Sequence, residues 1–378
     1  MKKLLILALL WLCTGGAILA QQVELGGFIY GGVWRSYRLY LPASYTGDTL
    51  TPLVLNLHGA GSNALEQEVY GGFMPIADTA GFLIVSPDGI LNTWNAGFVI
   101  GGTDDLGFLT ALIDRLAADH PIDPARVYST GMSNGGFMSH YLACMFPGRF
   151  AAIGPVAGTM SAYVITICQP GRPMPVIHVH GTDDTVVPYD GNDFMVAADS
   201  VALFWAGRNV CTTADTTDLP NTVLADLSTV TRIDWEACDA GADVTLLRVN
   251  GGGHTWPGSV PIPFGITNYD IYASGLIWDF FRRHPHPSPD PFGTTALGDE
   301  MLAGWQTGPN PFGGELALHY AGPGMARAAI YDMQGRLCGS ISLQQGESVS
   351  IPTADWARGV YVLDLAAGDR HHWLKLLH

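Results

Sequence analysis

Between residues 52 and 283 the chain alternates apolar β-type runs with helix-like stretches. The runs are PLVLNLH (52–58), GFLIVSP (81–87), RVYST (126–130), FAAIGPV (150–156), PVIHVHG (175–181) and DVTLLRV (243–249). Between them lie DDLGFLTALIDRLAADH (104–120), NGGFMSHYLACMF (134–146), FMVAADSVALFWAGRN (194–209) and IYASGLIWDFFRR (271–283). Strand–helix–strand repetition places helices on both faces of a mostly parallel, doubly wound sheet, an α/β fold. The runs are continuously apolar, as strands buried on both faces are. FIYGGVWRSYRLYLP (28–42) reads as an opening hairpin.

The alternation ends at HPHPSPDPFGT (284–294), whose four prolines mark an extended linker. After about residue 305 the runs ELALHY, RAAIYDM, SVSIP, GVYVLDL and HHWLKLL are short and separated by turn residues, which suggests a small antiparallel sandwich. At the other end, MKKLLILALLWLCTGGAILAQQ has two lysines, an apolar stretch and small residues before Gln21. That is the pattern of a secretory signal peptide cut after Ala20. The run is too short and too glycine-broken for an anchor, and Leu10-Trp11-Leu12 is too bulky for a lipid-modified Cys13. The expected organisation is therefore a signal peptide at 1–20, an α/β domain at 21–285, a linker at 286–304 and a β domain at 305–378. After signal removal no segment is apolar enough to be an integral membrane span.

Secretion implies an oxidising compartment. Of the five cysteines left, Cys144 is expected to pair with Cys168 and Cys211 with Cys238, with Cys338 unpaired and buried, although spacing alone does not fix connectivity. No CxxC or histidine-rich spacing suggests a metal, and no cofactor is expected. Acidic residues outnumber basic ones 34 to 18, which argues against a nucleic-acid partner or an anionic membrane surface.

Within YSTGMSNGGFMSH (128–140), Gly131, Ser133 and Gly135 form G-x-S-x-G between a strand and a helix. In that context the glycines permit a sharp elbow and the elbow presents the serine hydroxyl, as in α/β-hydrolases. A serine nucleophile needs a base and an orienting carboxylate, in the chain order Ser, Asp or Glu, His. HVHGTDDTVVPYDG (178–191) supplies Asp183 and Asp184 at a strand end, and spacing does not choose between them. VNGGGHTWPG (249–258) supplies His254, expected as general base and then general acid. His58, His140, His178 and His180 are read as structural. The loop LHGAGSN (57–63) is expected to lend the backbone N–H of Ala60 to an oxyanion hole, with the N–H of Asn134 as its second donor. Trp94 and Trp256 are candidates for lining the substrate pocket, with packing an equal alternative.

Taken together, LHGAGSN, PDG (87–89) with TWNAG (93–97), DDLGF (104–108), RVYSTGMSNGGFMS, HGTDDTVVPYDG and GGGHTWPG resemble the secreted polyhydroxybutyrate depolymerase and feruloyl esterase group of α/β-hydrolases, over about residues 25 to 285. In that group the aspartate closing H-G-T-x-D is the triad acid, which implies Asp184. The resemblance implies hydrolysis of carboxylic esters through an acyl-serine, without cofactor. The expected substrates are feruloyl, acetyl or other short acyl esters of plant polysaccharides, with polyhydroxyalkanoate depolymerase action as the alternative. No separate substrate-binding domain is evident, which weakens the case for solid polymer. A serine peptidase would need a larger cap than the insert around 205–240, and a non-catalytic binding protein would not need all three residues in order.

The tail also resembles something known. PNPF (309–312), IYDMQGRL (330–337), GVYVLDL (359–365) and KLL (375–377) resemble the type IX secretion sorting domain of Bacteroidetes. That resemblance implies the type IX machinery as a partner and a protein released or attached at the cell surface.

Overall fold

Gly31 and Gly32, both at positive φ, turn the chain between β1 (Gln22–Tyr30) and β2 (Val33–Leu41). Glycine takes such conformations at little cost, so two in succession favour this hairpin locally. β3 (Thr51–Leu57) then enters the core. Its Leu53, Leu55 and Leu57 join the apolar cluster on one face of a sheet, and Val54 joins the cluster on the other. The chain continues through α1 (Ala64–Gly71), α2 (Met74–Ala80), β4 (Leu83–Pro87), α3 (Asp105–Asp119), β5 (Ile122–Met132), α4 (Asn134–Met145), β6 (Ala152–Val156), α5 (Ala162–Ile167), β7 (Val176–Gly181) and α6 (Ala198–Arg208). A hairpin, β8 (Thr213–Asp218) and β9 (Thr229–Glu236), precedes β10 (Val244–Asn250) and α7 (Ala273–Phe281).

These strands form one ten-stranded sheet in the order β1-β2-β4-β3-β5-β6-β7-β10-β9-β8. The run from β4 to β10 is parallel, and antiparallel pairs flank it on both sides. Side chains of α3, α4 and α6 (Phe108, Phe137, Leu142, Trp205) pack on one face, and those of α2 and α7 (Ala77, Ile277, Phe281) on the other. This is the doubly wound α/β sheet expected from the alternation. The two edges differ. β8 carries exposed Thr and Asp along its whole length, whereas β1 exposes Leu25 and Ile29.

This computed structural model describes residues 22–99, 102–288, 305–307, 315–332, 336–356, 360–367 and 370–377. The expected signal peptide, most of the linker and PNPF (309–312) lie outside them. The start of the expected linker is packed. His284 and His286 are buried, and the N–H of His286 donates to the Ala125 carbonyl at 2.7 Å. The tail adds two antiparallel sheets, β11 (Trp305–Thr307), β12 (Glu315–Tyr320) and β15 (Glu347–Pro352) in one, and β13 (Met325–Asp332), β14 (Leu337–Gln344), β16 (Val360–Ala367) and β17 (Arg370–Leu377) in the other. Leu316, Leu318 and Tyr320 from the first bury against Ala328, Ile330, Leu363 and Leu365 from the second. The small all-β sandwich is therefore present, with β11 and β14 additions to the expected runs.

Disulfides join Cys144 to Cys168 and Cys211 to Cys238, as expected. Cys338 is free but half-buried rather than buried, because it lies on a strand with largely exposed neighbours. Among the described residues no helix is long and apolar enough to cross a membrane, and no group of three His, Cys, Asp or Glu side chains is arranged to hold a metal ion.

Candidate active site

β5 ends at Met132 and α4 starts at Asn134, so the whole turn falls on Ser133. Its backbone sits at φ 54° and ψ −119°, a strained conformation for a residue with a Cβ. Two bonds hold it there. The Ser133 N–H donates to the Val156 carbonyl at 2.9 Å, and the Phe137 N–H donates to the Ser133 carbonyl at 3.0 Å. Space also decides the sequence. A Cβ on Gly135 would run into the Leu57 carbonyl, and one on Gly131 would lie 2.5 Å from that same oxygen. The glycines thus let α4 leave β5 against the end of β3, and Ser133 projects half-buried at the carboxyl edge of the sheet.

The loop after β3 runs beside it. A Cβ built on Gly59 would lie 3.4 Å from Ser133 Cβ. His58 pins this loop: its Nδ1 donates to the Gly59 carbonyl at 2.7 Å, and its Nε2 accepts the Gly89 N–H at 2.9 Å. That pairing fixes a neutral ring, and burial pushes its pKa down in agreement. Ala60 is exposed on the turn that follows. Its N–H and that of Asn134, in the first turn of α4, have no acceptor among the described residues.

Asp184 and His254 meet from two strand ends. Asp184 follows β7, and its Oδ1 accepts the N–H of Val186 and of Val187, each at 2.8 Å. Its Oδ2 accepts from His254 Nδ1 at 2.7 Å. A carboxylate oxygen accepts, so the imidazole proton sits on Nδ1 and Nε2 is left bare. Both residues are buried, whereas Asp183 is exposed and bonds only its neighbour Thr182 through its side chain. The structure therefore brings Asp184, not Asp183, to His254. The Ser133 hydroxyl has no hydrogen bond to His254 among the described residues, a contact that commonly tightens only when substrate binds.

Trp94 and Trp256 do not line an open wall. Trp94 is 2% exposed and donates its indole N–H to the His58 carbonyl at 2.9 Å. Trp256 is fully buried, donates to Ser274 Oγ at 2.9 Å and meets Phe73 edge-on. Both rings are committed to packing, the alternative that the sequence holds equal to pocket lining. The aromatic beside the histidine is Phe264, half exposed, with its ring edge-on to His254 at 6.4 Å and its carbonyl accepting the His254 N–H at 2.8 Å. Its distance from the motif in sequence hid it.

Asn134 also does more than a backbone donor. Its Oδ1 accepts from the Trp94 N–H at 2.6 Å and the Thr93 hydroxyl at 3.1 Å, and its Nδ2 donates to the Trp94 carbonyl at 3.0 Å. The residue after the serine thus holds the TWNAG loop. The same loop is anchored from below by Asp105, which accepts the Asn95 N–H at 2.7 Å while pairing with buried Arg35 at 2.6 Å.

Sheet order, elbow and the Asp–His pair at neighbouring strand ends define an α/β-hydrolase. Residues 35–168 match the family described as Esterase PHB depolymerase, and residues 308–377 match the secretion system C-terminal sorting domain. Feruloyl esterase C of Emericella nidulans is 30% identical over 255 residues, which cover 65% of this chain and 83% of that protein. Feruloyl esterase B of Piromyces equi is 29% identical over 235 residues, 58% of this chain, and the match spans only 42% of that longer protein. Among solved structures, an acetyl xylan esterase from Aspergillus awamori is 16% identical with a TM-score of 0.48, covering 66% of this chain and 94% of that one. The chain belongs to the PHB depolymerase and feruloyl esterase family, extended by a C-terminal sorting domain.

Proposed function

We propose that this protein is a secreted serine carboxylic-ester hydrolase, with Ser133 as nucleophile, His254 as base and Asp184 as orienting carboxylate. The observation that carries the reading is the buried Asp184–His254 pair at 2.7 Å, whose geometry leaves Nε2 bare to take a proton. In acylation, His254 Nε2 removes the Ser133 proton as Oγ attacks the ester carbonyl carbon. The N–H groups of Ala60 and Asn134 receive the negative charge that forms on the carbonyl oxygen. Collapse expels the alcohol, which takes the proton back from His254. Water then repeats the sequence on the acyl-serine, and the acid leaves. Asp184 orients the ring and stabilises the imidazolium throughout.

For substrate we infer feruloyl, acetyl or other short acyl esters of plant polysaccharides. Support comes from relatives named feruloyl esterase and from the exposed Phe264 ring beside His254, which suits an aromatic acyl group. The family description equally fits polyester cleavage. Rates on methyl ferulate, 4-nitrophenyl acetate and polyhydroxybutyrate film separate the two, and activity confined to film would overturn the first. Ser133→Ala tests the mechanism itself: hydrolysis and fluorophosphonate labelling are expected to vanish together. We further propose export through type IX machinery by the domain at 305–378, leaving the enzyme released or surface-attached. Deleting that domain is expected to leave activity inside the cell envelope.

A further inference from the structure

Behind Asp184 lies a file of three fully buried histidines that the proposed mechanism does not use. His178 and His180 alternate on β7 and so point to the same face, where α4 brings His140 and α6 brings Trp205. The tautomers follow from the two ends. An indole only donates, so the Trp205 contact at 3.1 Å makes His140 Nδ1 an acceptor and puts its proton on Nε2. At the other end a carbonyl only accepts, so the Val187 contact at 2.9 Å puts the His180 proton on Nε2. His180 Nδ1 is then bare and accepts from His178 Nε2 at 3.1 Å, which leaves His178 Nδ1 bare. The two ring atoms in the file without a partner, His140 Nε2 and His178 Nδ1, are one donor and one acceptor on rings 5.5 Å apart. The His178 N–H is thus given to His180, and the His180 N–H to the Val187 carbonyl, three residues past Asp184.

The last ring of the file also faces Asp184. His180 Nε2 lies 3.5 Å from Asp184 Oδ2, the same oxygen that binds His254. The other groups facing His180 are the Tyr189 ring, edge-on at 5.8 Å with its hydroxyl given to Asp199, and the His254 imidazole across the shared carboxylate. No cation among these competes for Asp184. Burial holds all three histidines neutral, which keeps the direction of the file fixed.

We propose that His180 is a positioning residue of the active site: its Nε2–H, oriented by His178 and held by the Val187 carbonyl, faces Asp184 Oδ2 at 3.5 Å beside His254 and, through that electrostatic proximity, tempers the basicity of His254. The proposal rests on the reading of Ser133, Asp184 and His254 as the triad. A donor facing Oδ2 stabilises the carboxylate and weakens its pull on the imidazolium. Removing that donor strengthens the pull and raises the pH at which His254 becomes available as a base.

The experiment measures kcat/KM for 4-nitrophenyl acetate against pH in wild type, His180→Phe and His180→Gln. In His180→Phe the acid limb should move to higher pH by about half a unit to one unit, with KM unchanged. In His180→Gln, whose amide offers an N–H at similar reach, the limb should return towards wild type. An unshifted limb in a His180→Phe protein that still takes the fluorophosphonate label overturns the proposal, as does an equal shift in both variants. Imidazole nitrogen NMR of the wild type keeps the test open should the variants misfold. Protonated Nε2 on His140, His178 and His180 is expected, and a His180 proton on Nδ1 overturns the proposal. Failure of the wild type to take the label would instead remove the triad reading beneath it.

Discussion

Asp184→Asn tests the site with the least change of shape. The amide has one oxygen, and the structure decides where it goes. Two backbone N–H groups, of Val186 and Val187, already hold the Oδ1 position at 2.8 Å each, so the new oxygen stays there. The NH2 group is then forced to face His254 Nδ1. Two donors cannot pair, so the imidazole must move its proton to Nε2 and offer Nδ1 as acceptor. A protonated Nε2 cannot accept from Ser133. The expected loss in kcat is about 10⁴-fold, or roughly 5.5 kcal/mol of barrier, the scale seen when a triad histidine is locked in the wrong tautomer. Both backbone bonds survive, so the fold should persist, with Tm lowered modestly because the new NH2 also faces the buried His180 N–H. The assay is steady-state hydrolysis of 4-nitrophenyl acetate, with the fluorophosphonate labelling rate as a check free of turnover. Asp183→Asn, at the exposed neighbour, should keep activity within about twofold. The reasoning is refuted if Asp184→Asn keeps a tenth or more of the activity, or if Asp183→Asn is the variant that loses it.

Four further outcomes are expected. Gly135→Ala should unfold the domain or lower its Tm steeply, because the added methyl meets the Leu57 carbonyl, a rigid backbone atom. Replacing Cys144 and Cys168 by serine opens a loop closed across 24 residues, which should cost about 3 kcal/mol in denaturant unfolding. Arg35→Met leaves buried Asp105 without its partner at 2.6 Å, so a loss of about 3–5 kcal/mol is expected, together with weaker activity as the TWNAG loop loosens. Stability should also fall on acidification. His140 has its pKa lowered by burial from 6.5 to about 3, and His178 and His180 are lowered by the same cause. Below about pH 6.5 the unfolded chain binds protons that the folded chain refuses, so stability is full above that pH and drains as pH falls. Each histidine contributes up to about 1.4 kcal/mol per pH unit, and a Tm series from pH 7.5 to 5 reads the slope.

How much of this was legible beforehand follows residue by residue. The strands that build the parallel run announced themselves because both faces are buried, as in β3 and β7. α1, α2 and α5 did not, being eight residues or fewer with too few turns to show a period. β8, TADTTD, has Ala214 as its one apolar residue and is a strand only because β9 pairs with it. At the site, the motif and chain order reached Ser133 and His254, while the choice of Asp184 needed the family resemblance and then its burial. For Trp94 and Trp256 the sequence leaves pocket lining and packing equally open, because a place beside a motif says nothing of which way a ring turns. Asn134 was read for its backbone alone, since a side chain that reaches across 40 residues leaves no local mark. The histidine file did leave one: His178 and His180 sit two apart in an apolar strand, on one face.

The unlike edges of the large sheet have a consequence for crowding. A sheet grows by accepting a strand on an exposed edge. At the β8 edge an incoming chain meets Asp215 and Asp218, and a second copy of that edge brings the same charges. At the β1 edge it meets Leu25 and Ile29. Two β1 edges brought together about a twofold axis would use up the apolar border of this sheet on each molecule, leaving its β8 border, which carries Asp215 and Asp218. Growth along this sheet would therefore stop at a pair, because pairing through β1 leaves only an edge whose charges repel a second copy of itself.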